Sequence, residues 1–148
     1  MESFGQIIRV AYYSGSDGPR IMLFGPANVD FRPLQELFRA LSRNEGPFEM
    51  HNLDNIVVFG GTRIVASCSG SRFKDPSGKP QGIRRTGDSE NHFIWQKTAE
   101  GWDYLAELIE PLVSGSRSGH QYLSSYPSED AIVVVSRGEY GDEVLQRI

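Results

Sequence analysis

The fold is decided around residues 56–68, which read IVVFGGTRIVASC. Two runs rich in β-branched residues flank a pair of adjacent glycines, and such glycines supply the positive φ values that a tight primed turn needs. In the second run, Ile64, Ala66 and Cys68 occupy alternate positions, a period typical of a half-buried strand. The stretch therefore predicts a short hairpin in which Cys68 faces the core as a small, inert hydrophobe.

Further strands are predicted on both sides of this hairpin. Near the N-terminus, β-forming runs at 6–14 and 20–24 enclose the turn signal SGSDGP and predict a second hairpin. Runs at 82–86 and 92–96, separated by a Gly-Asp turn, predict a third. A last strand is predicted at 131–136, where four consecutive Ile and Val residues indicate burial on both faces and a central position in the sheet.

Two segments have the period of an amphipathic helix instead. The first follows Asp30, a suitable N-cap, and ends at Gly46. The second begins at Thr98 and extends to about Ser114, with Pro111 placed to kink its final turn. The apolar stripes of the two helices comprise Leu34, Leu37, Phe38 and Leu41, and Trp102, Leu105, Ile109 and Leu112.

The order of these elements predicts the fold class. Most neighbouring strands are linked by hairpins, which favours an antiparallel or mixed sheet over a doubly wound parallel fold. A chain of 148 residues suits one domain that buries about two thirds of its unfolded surface. We therefore expect a single α+β domain over residues 1–148, with a mostly antiparallel or mixed sheet of about six to eight strands and two amphipathic helices packed on it.

Composition excludes several classes of protein. The chain is 39% hydrophobic and 23% charged, as is ordinary for a globular protein. Its single cysteine excludes an internal disulfide framework and a Cys-rich zinc site. No apolar run approaches the roughly 18 residues that a membrane span requires, and the N-terminus lacks the pattern of a secretory signal. We therefore expect a cytoplasmic protein that does not enter a membrane.

Charge is unevenly distributed along the chain. The net charge is −4, from 15 Lys and Arg against 19 Asp and Glu, which argues against a nucleic-acid-binding protein. Residues 63–85 are nevertheless basic, and 69–81 within them are expected to form a flexible loop. Phe73 is the only aromatic residue among the bases of this segment, and binding of single-stranded nucleic acid usually needs several such rings for base stacking. Weak binding of the basic loop to nucleic-acid phosphates remains a third hypothesis. The bases of the segment are Arg63, Arg72, Lys74, Lys79, Arg84 and Arg85.

The sequence carries no motif for metal, cofactor or nucleophilic chemistry. The histidines at 51, 92 and 120 are isolated in the sequence, without the His-x-His or His-Glu-x-x-His spacing of a metal site. Neither the Gly-Lys-Ser/Thr of a P-loop nor a Gly-x-Ser-x-Gly elbow occurs. We therefore expect no metal and no cofactor. Whether the chain is an enzyme is left open, and the missing motifs favour a protein that is not one.

If the chain is an enzyme, the catalytic candidates are His120, Tyr122 and Glu139. The stretch GHQYL at 119–123 could line a cleft with hydrogen-bond donors and acceptors, and Glu139 follows a turn near the C-terminus. This hypothesis describes a small hydrolase or transferase, and it requires a concave pocket that joins His120 to an acid or a nucleophile. The alternative is a loop in which Tyr122 fills the core and His120 bonds to the backbone.

The acidic residues of the second predicted helix favour a different function. Glu100, Asp103, Glu107 and Glu110 fall within about 80° of the helix circumference, away from its apolar stripe, and Tyr104 borders them. Such a stripe complements a basic groove on another protein. The first hypothesis is therefore a non-enzymatic protein-binding domain, of the inhibitor or immunity type, with a basic protein partner. The alternative is that these acids form an ordinary solvated helix face without a partner. The sequence does not determine the oligomeric state.

Overall fold

Nine strands and three α-helices follow one another in the computed structural model, which describes residues 7–69, 81–87, 89–115 and 117–140. A short 3-10 helix, Met50–Asn52, separates the third strand from the fourth. The strands are β1 (Ile8–Gly15), β2 (Gly18–Gly25), β3 (Phe48–Glu49), β4 (Ile56–Val58), β5 (Arg63–Cys68), β6 (Gly82–Arg85), β7 (His92–Lys97), β8 (Gly119–Tyr122) and β9 (Ile132–Arg137). The helices are α1 (Arg32–Ser42), α2 (Ala99–Leu108) and α3 (Glu110–Ser114).

The strands form two mixed sheets. In the five-stranded sheet the order is β4-β1-β2-β9-β8, and in the four-stranded sheet it is β3-β5-β7-β6. The first sheet combines parallel pairs (β1 with β4, β2 with β9) with antiparallel ones, and the second does the same. The α+β class, the mixed strand pairing and the two longer amphipathic helices are as predicted. The described residues form nine strands where about six to eight were expected, and these strands divide between two sheets where one was expected.

The hairpin predicted at 56–68 is wrong. Strand β4 pairs with β1 in parallel, and the backbone N–H of Phe59 extends this pairing to the Val10 carbonyl at 2.9 Å. Strand β5 pairs instead with β3 and β7 in the other sheet. Gly60 and Gly61 do have the expected positive φ values, 72° and 69°. The tight turn therefore forms, but it carries the chain from one sheet to the other because each run finds its hydrogen-bond partners elsewhere in the sequence.

The two other predicted hairpins and the central last strand are confirmed. Strands β1 and β2 pair antiparallel up to Gly15 and Gly18, and β6 pairs antiparallel with β7. Strand β9 lies between β2 and β8, so it has a neighbour on each side. Its side chains alternate between two apolar clusters, since Val133 and Val135 belong to the main core and Val134 lies on the opposite face of the sheet.

Helix α1 buries the predicted apolar stripe. Leu34, Leu37, Phe38 and Leu41 are all buried. The N-cap of the helix is Phe31, one residue after the predicted cap Asp30. The Asp30 carboxylate accepts hydrogen bonds from the backbone N–H and the guanidinium of Arg32. Hydrogen bonds from Arg32 hold the pKa of Asp30 below its usual range.

The second predicted helix is interrupted. Thr98 caps α2 as predicted, because its hydroxyl oxygen accepts the Gly101 N–H at 3.1 Å. The helix stops at Leu108, and α3 starts after Ile109 with Pro111 in its first turn. Proline lacks an N–H and crowds the carbonyl four residues earlier, so the kink expected from Pro111 becomes a break between two helices.

One main core fills the space between the sheets and the helices. Both sheets contribute one face to it, and α1 and α2 contribute their stripes. At its centre the Trp102 ring lies 5.1 Å from Trp95 and 5.6 Å from Phe38, centroid to centroid. The other face of the five-stranded sheet, here called the outer face, carries a second buried cluster of Ala11, Tyr13, Met22, Phe24 and Val134.

Candidate functional site

Helix α1 binds two of the four acidic residues predicted to contact a partner. The Arg39 guanidinium donates to Asp103 Oδ1 at 3.0 Å. The Gln35 side-chain amide donates to Glu110 Oε2 at 2.6 Å and to the Ala106 carbonyl at 2.8 Å. Asp103 on α2 and Glu110 at the start of α3 are therefore both held by side chains of α1, Asp103 by a guanidinium and Glu110 by a neutral amide.

The other two acids point into solvent. Glu100 and Glu107 are exposed, and neither forms a hydrogen bond or an ion pair with any residue that the structure describes. They are seven residues apart, so they lie on the same side of α2. Tyr104 stands between them with 61% of its surface exposed. These three residues, Glu100, Tyr104 and Glu107, are called the acidic ridge.

A groove of about 270 Å³ separates α2 from β8 and is called the α2–β8 groove. Tyr104 belongs to its helical wall and Tyr122, which is 49% exposed, to its strand wall. The structure thus brings together one residue predicted for partner binding and one predicted for catalysis. The rest of the lining combines apolar and polar side chains, among them Leu105, Leu108, Gln121, Leu123, Lys97 and Glu129.

The catalytic candidates His120 and Glu139 are in direct contact. His120 Nδ1 lies 2.9 Å and 3.1 Å from the two carboxylate oxygens of Glu139. The hydroxyl of Ser136 donates to the same carboxylate at 2.7 Å. The Tyr122 ring meets the His120 ring edge to face, with centroids 5.4 Å apart. All three candidates therefore share the outer face at the β8 end of the sheet.

Strand register and one turn produce this cluster. His120 in β8 is opposite Ser136 in β9. Gly138 follows with a φ of 71°, and this positive φ turns the chain so that Glu139 folds back over the end of its own strand. A side chain at Gly138 would also collide with the Ser118 hydroxyl, since an added Cβ would lie 2.7 Å from that oxygen.

The hydrogen bonds define what the cluster can do. Because a carboxylate only accepts, the proton of neutral His120 lies on Nδ1, and Nε2 is left with a lone pair. Ser136 is fully buried, so its hydroxyl orients Glu139 and does not reach a substrate. His120 lies outside the α2–β8 groove. The cluster supplies an oriented base whose side chain is 42% exposed.

Two arginines support this region. Arg137, which is 4% exposed, donates to the carbonyls of Ala27 and Val29 at 2.9 and 2.8 Å and also to the Leu112 carbonyl. Burial lowers the pKa of Arg137 below its ordinary value. Burial of Arg20 disfavours its charge, but Asp17, Tyr13 and Tyr122 together outweigh this effect and raise the pKa of Arg20.

Two of the three described bases of the basic segment, Arg84 and Arg85, are bound to other groups of the protein, whereas Arg63 is exposed and its side chain has no partner among the described residues. Arg84 donates to the Gln81 carbonyl and lies 3.6 Å from Asp130, and Arg85 donates to the Glu90 carbonyl and the Tyr12 hydroxyl. The bases at 72, 74 and 79, with most of the loop predicted at 69–81, lie outside the described residues.

Two further findings bear on metals and membranes. In the described ranges, no group of three or more His, Cys, Asp or Glu side chains is placed to hold a metal ion. Of the helices in that same part of the chain, none has the length and apolarity needed to cross a bilayer. Cys68 is half-buried and packs against the main core.

Comparison of the chain with protein-family models, with curated proteins and with solved structures finds no match. The sequence interpretation missed Gln35 and Arg39, whose spacing of four residues places them on one face of α1 and was the available signal. It also missed the groove, because no sequence pattern relates position 104 to position 122.

Proposed function

We propose that this protein is a protein-binding domain that places the acidic ridge and the neighbouring α2–β8 groove against a basic surface of another protein. The observation that carries the proposal is the exposure of Glu100 and Glu107, unpaired among the described residues, beside two exposed tyrosines of one groove. A cytoplasmic inhibitor or immunity-type factor is the class of protein that this arrangement suits.

The physical chemistry of interfaces supports this choice. Tyrosine is enriched among the few residues that dominate binding energies, because its ring buries much area with little loss of conformational entropy. Tyr104 and Tyr122 offer such rings at the two walls of the groove. The exposed carboxylates around them accelerate encounter with a basic protein and select against acidic ones. Asp103 contributes less in this proposal, since a partner would have to compete with Arg39 for it.

The double variant Glu100→Lys with Glu107→Lys is expected to weaken partner binding by about tenfold to a hundredfold at low salt. Both side chains are exposed and unpaired among the described residues, so the fold is expected to remain intact. The partner is first captured from native lysate at low and at high salt and identified by mass spectrometry. The affinity of the purified partner for the original protein and for the double variant is then measured over a salt series.

The matched control is Glu36→Lys with Glu90→Lys, which changes the net charge equally at exposed sites on α1 and in the turn before β7. An equal loss of affinity in both double variants would show that only the net charge matters. Unchanged affinity in the ridge variant would remove the acidic ridge from the interface.

A second candidate function is a small hydrolase or transferase in which His120 acts as a general base. The α2–β8 groove does not supply the concave pocket that this hypothesis requires, because His120 does not line it. The hypothesis is favoured instead by the hydrogen bonds of Ser136 and His120 to Glu139, which orient the ring and leave Nε2 free to accept a proton from water or a hydroxyl group. We expect any such activity, assayed with nitrophenyl esters and nitrophenyl phosphodiesters, to vanish in His120→Ala and to fall about tenfold or more in Glu139→Gln. Tyr104→Ala is the control that should retain it, and an activity insensitive to His120→Ala would contradict this candidate.

A further inference from the structure

Strand β8 ends the five-stranded sheet and leaves one edge open. Its pairing with β9 uses only one side, and among the residues that the structure describes no strand pairs with the other. The N–H of Leu123 donates to the Val133 carbonyl at 2.8 Å, which shows which residues face β9. In an antiparallel pair this orientation alternates, so Gln121 also faces β9 while the backbone N–H and C=O of His120 and Tyr122 point away from it.

The hydrogen bonding of Tyr122 agrees with this alternation. Its carbonyl accepts from the side-chain amide of Gln121 at 3.4 Å, a long contact within the same strand that leaves the carbonyl free to accept a better donor. The open edge therefore presents two N–H donors and two C=O acceptors, at the 6–7 Å repeat that an added strand requires, about twice the rise per residue.

The α2–β8 groove lies beside the C-terminal end of this edge, from Gln121 onward. Residues 121–124 are consecutive, and their side chains alternate between the two faces of the sheet, yet all four line the groove. A groove reached from both faces of one strand lies beside its edge. Helix α2 forms the opposite wall with Tyr104, Leu105 and Leu108. An exposed strand edge facing a helix across a groove can take up an extended chain.

We propose that the open edge of β8 binds an extended segment of the basic partner, which pairs with His120 and Tyr122 as an added strand and enters the α2–β8 groove beside Tyr122. This inference rests on the proposed function and specifies how the partner is held. Alternate side chains of the segment then face the α2 wall of the groove, where the Tyr104 ring is exposed and Leu108 is half-buried, so every second residue is expected to be apolar.

Charge decides what the remaining side chains of the segment are. Inside the groove Lys97 and Glu129 offset each other. The helical side of the groove adds negative charge, because Glu100 and Glu107 on α2 and Glu110 on α3 are exposed and residues 99–113 contain no base. A segment that alternates apolar residues with Lys or Arg satisfies both the groove and this charge.

A second copy of the chain fits the edge less well than a basic partner does. Strand β8 has four residues, and pairing it with its own copy would bring two acidic ridges with the same charge near each other. Like charges across an interface oppose association. Self-association through β8 is therefore an outcome that the test must be able to detect.

The test uses the full chain and a displayed library of random dodecapeptides. We expect the enriched peptides to alternate apolar residues with Lys or Arg. The strongest peptide is then synthesised with backbone N-methyl groups at alternate positions, once in each of the two registers. One register should lose affinity about tenfold or more, because it removes the N–H groups that face β8, and the other should bind nearly as before.

A matched pair of variants tests the same edge from the side of the protein. His120→Pro removes an N–H that points away from β9, so the β8–β9 pairing keeps its hydrogen bonds. We expect it to weaken peptide binding about tenfold. His120→Ala deletes the same side chain but keeps the N–H, so it should bind within about threefold of the original protein. The N-methylated peptides keep the test decisive if His120→Pro does not fold.

The outcomes separate this inference from the proposed function. If neither N-methylation register weakens binding, or if enriched peptides lack basic residues, strand addition by a basic segment is wrong. Concentration-dependent dimerisation that His120→Pro abolishes would assign the edge to a second copy and also overturn it. If reversal of Glu100 and Glu107 weakens partner capture while His120→Pro does not, the acidic ridge binds the partner and the proposed function stands without the added strand.

Discussion

Replacing Arg137 with methionine is expected to lower the free energy of unfolding by about 3 kcal/mol. The guanidinium donates to three backbone carbonyls, those of Ala27, Val29 and Leu112, and lies over the Phe31 ring at 5.5 Å. Methionine fills similar space but leaves all three carbonyls without this donor, and each such buried group costs about 1 kcal/mol or more. The gain from no longer burying a charge offsets part of this loss.

The measurement is equilibrium unfolding in urea, with Arg43→Met as the control. Arg43 pairs with Glu45 at 2.7 Å on the surface, where such a pair contributes about 0–1 kcal/mol. The free energy of unfolding of Arg137→Lys should lie between those of the original protein and Arg137→Met, since an ammonium keeps the charge but cannot span the same three carbonyls. A loss no larger for Arg137→Met than for Arg43→Met would show that this arginine does not hold the end of β9 in place.

Replacing Trp102 with alanine is expected to cost about 3–5 kcal/mol. The side chain is fully buried and packs on Trp95 and Phe38, and its Nε1 donates to the Ser67 carbonyl at 2.8 Å. It therefore joins α2, α1 and both central strands of the second sheet. Removing it leaves a large cavity and one unpaired carbonyl, which we expect to see as a lowered midpoint in urea.

The contribution of the hydrogen bond is separated by two conservative variants. Trp102→Phe removes the bond to Ser67, whereas Trp95→Phe removes an Nε1 that has no hydrogen-bond partner among the described residues. Since both variants lose a similar volume of indole, Trp102→Phe should be the more destabilising by about 1 kcal/mol. Equal losses would contradict a role for the Trp102–Ser67 hydrogen bond.

The local parts of the fold could be predicted from sequence, and the partnership between distant strands could not. Leu34, Leu37, Phe38 and Leu41 mark α1 because helical periodicity is a local property. The turn at residues 60–61 was predictable for the same reason. Nothing local shows that the strands beside it pair with β1 and β7, because a β-branched run is compatible with any neighbour that buries it.

The candidate site follows the same division. The acidic composition of α2 was visible in the sequence. The ion pair between Asp103 and Arg39 could not be predicted from it, because this contact depends on how α1 and α2 pack against each other. His120 and Glu139 were chosen separately as candidates, and their contact arises from the register between β8 and β9 and the turn at Gly138. The open edge of β8 follows from the strand order, which no segment of the sequence encodes by itself.

Amide hydrogen exchange, with and without the selected peptide at saturation, tests the central claim most directly. The N–H of Leu123 already donates to the Val133 carbonyl, and that of Gln121 faces β9 in the same way, so neither should change. If a basic partner segment adds to the edge of β8, exchange at His120 and Tyr122 should slow by about tenfold or more. Binding that leaves exchange at His120 and Tyr122 unchanged would contradict the claim.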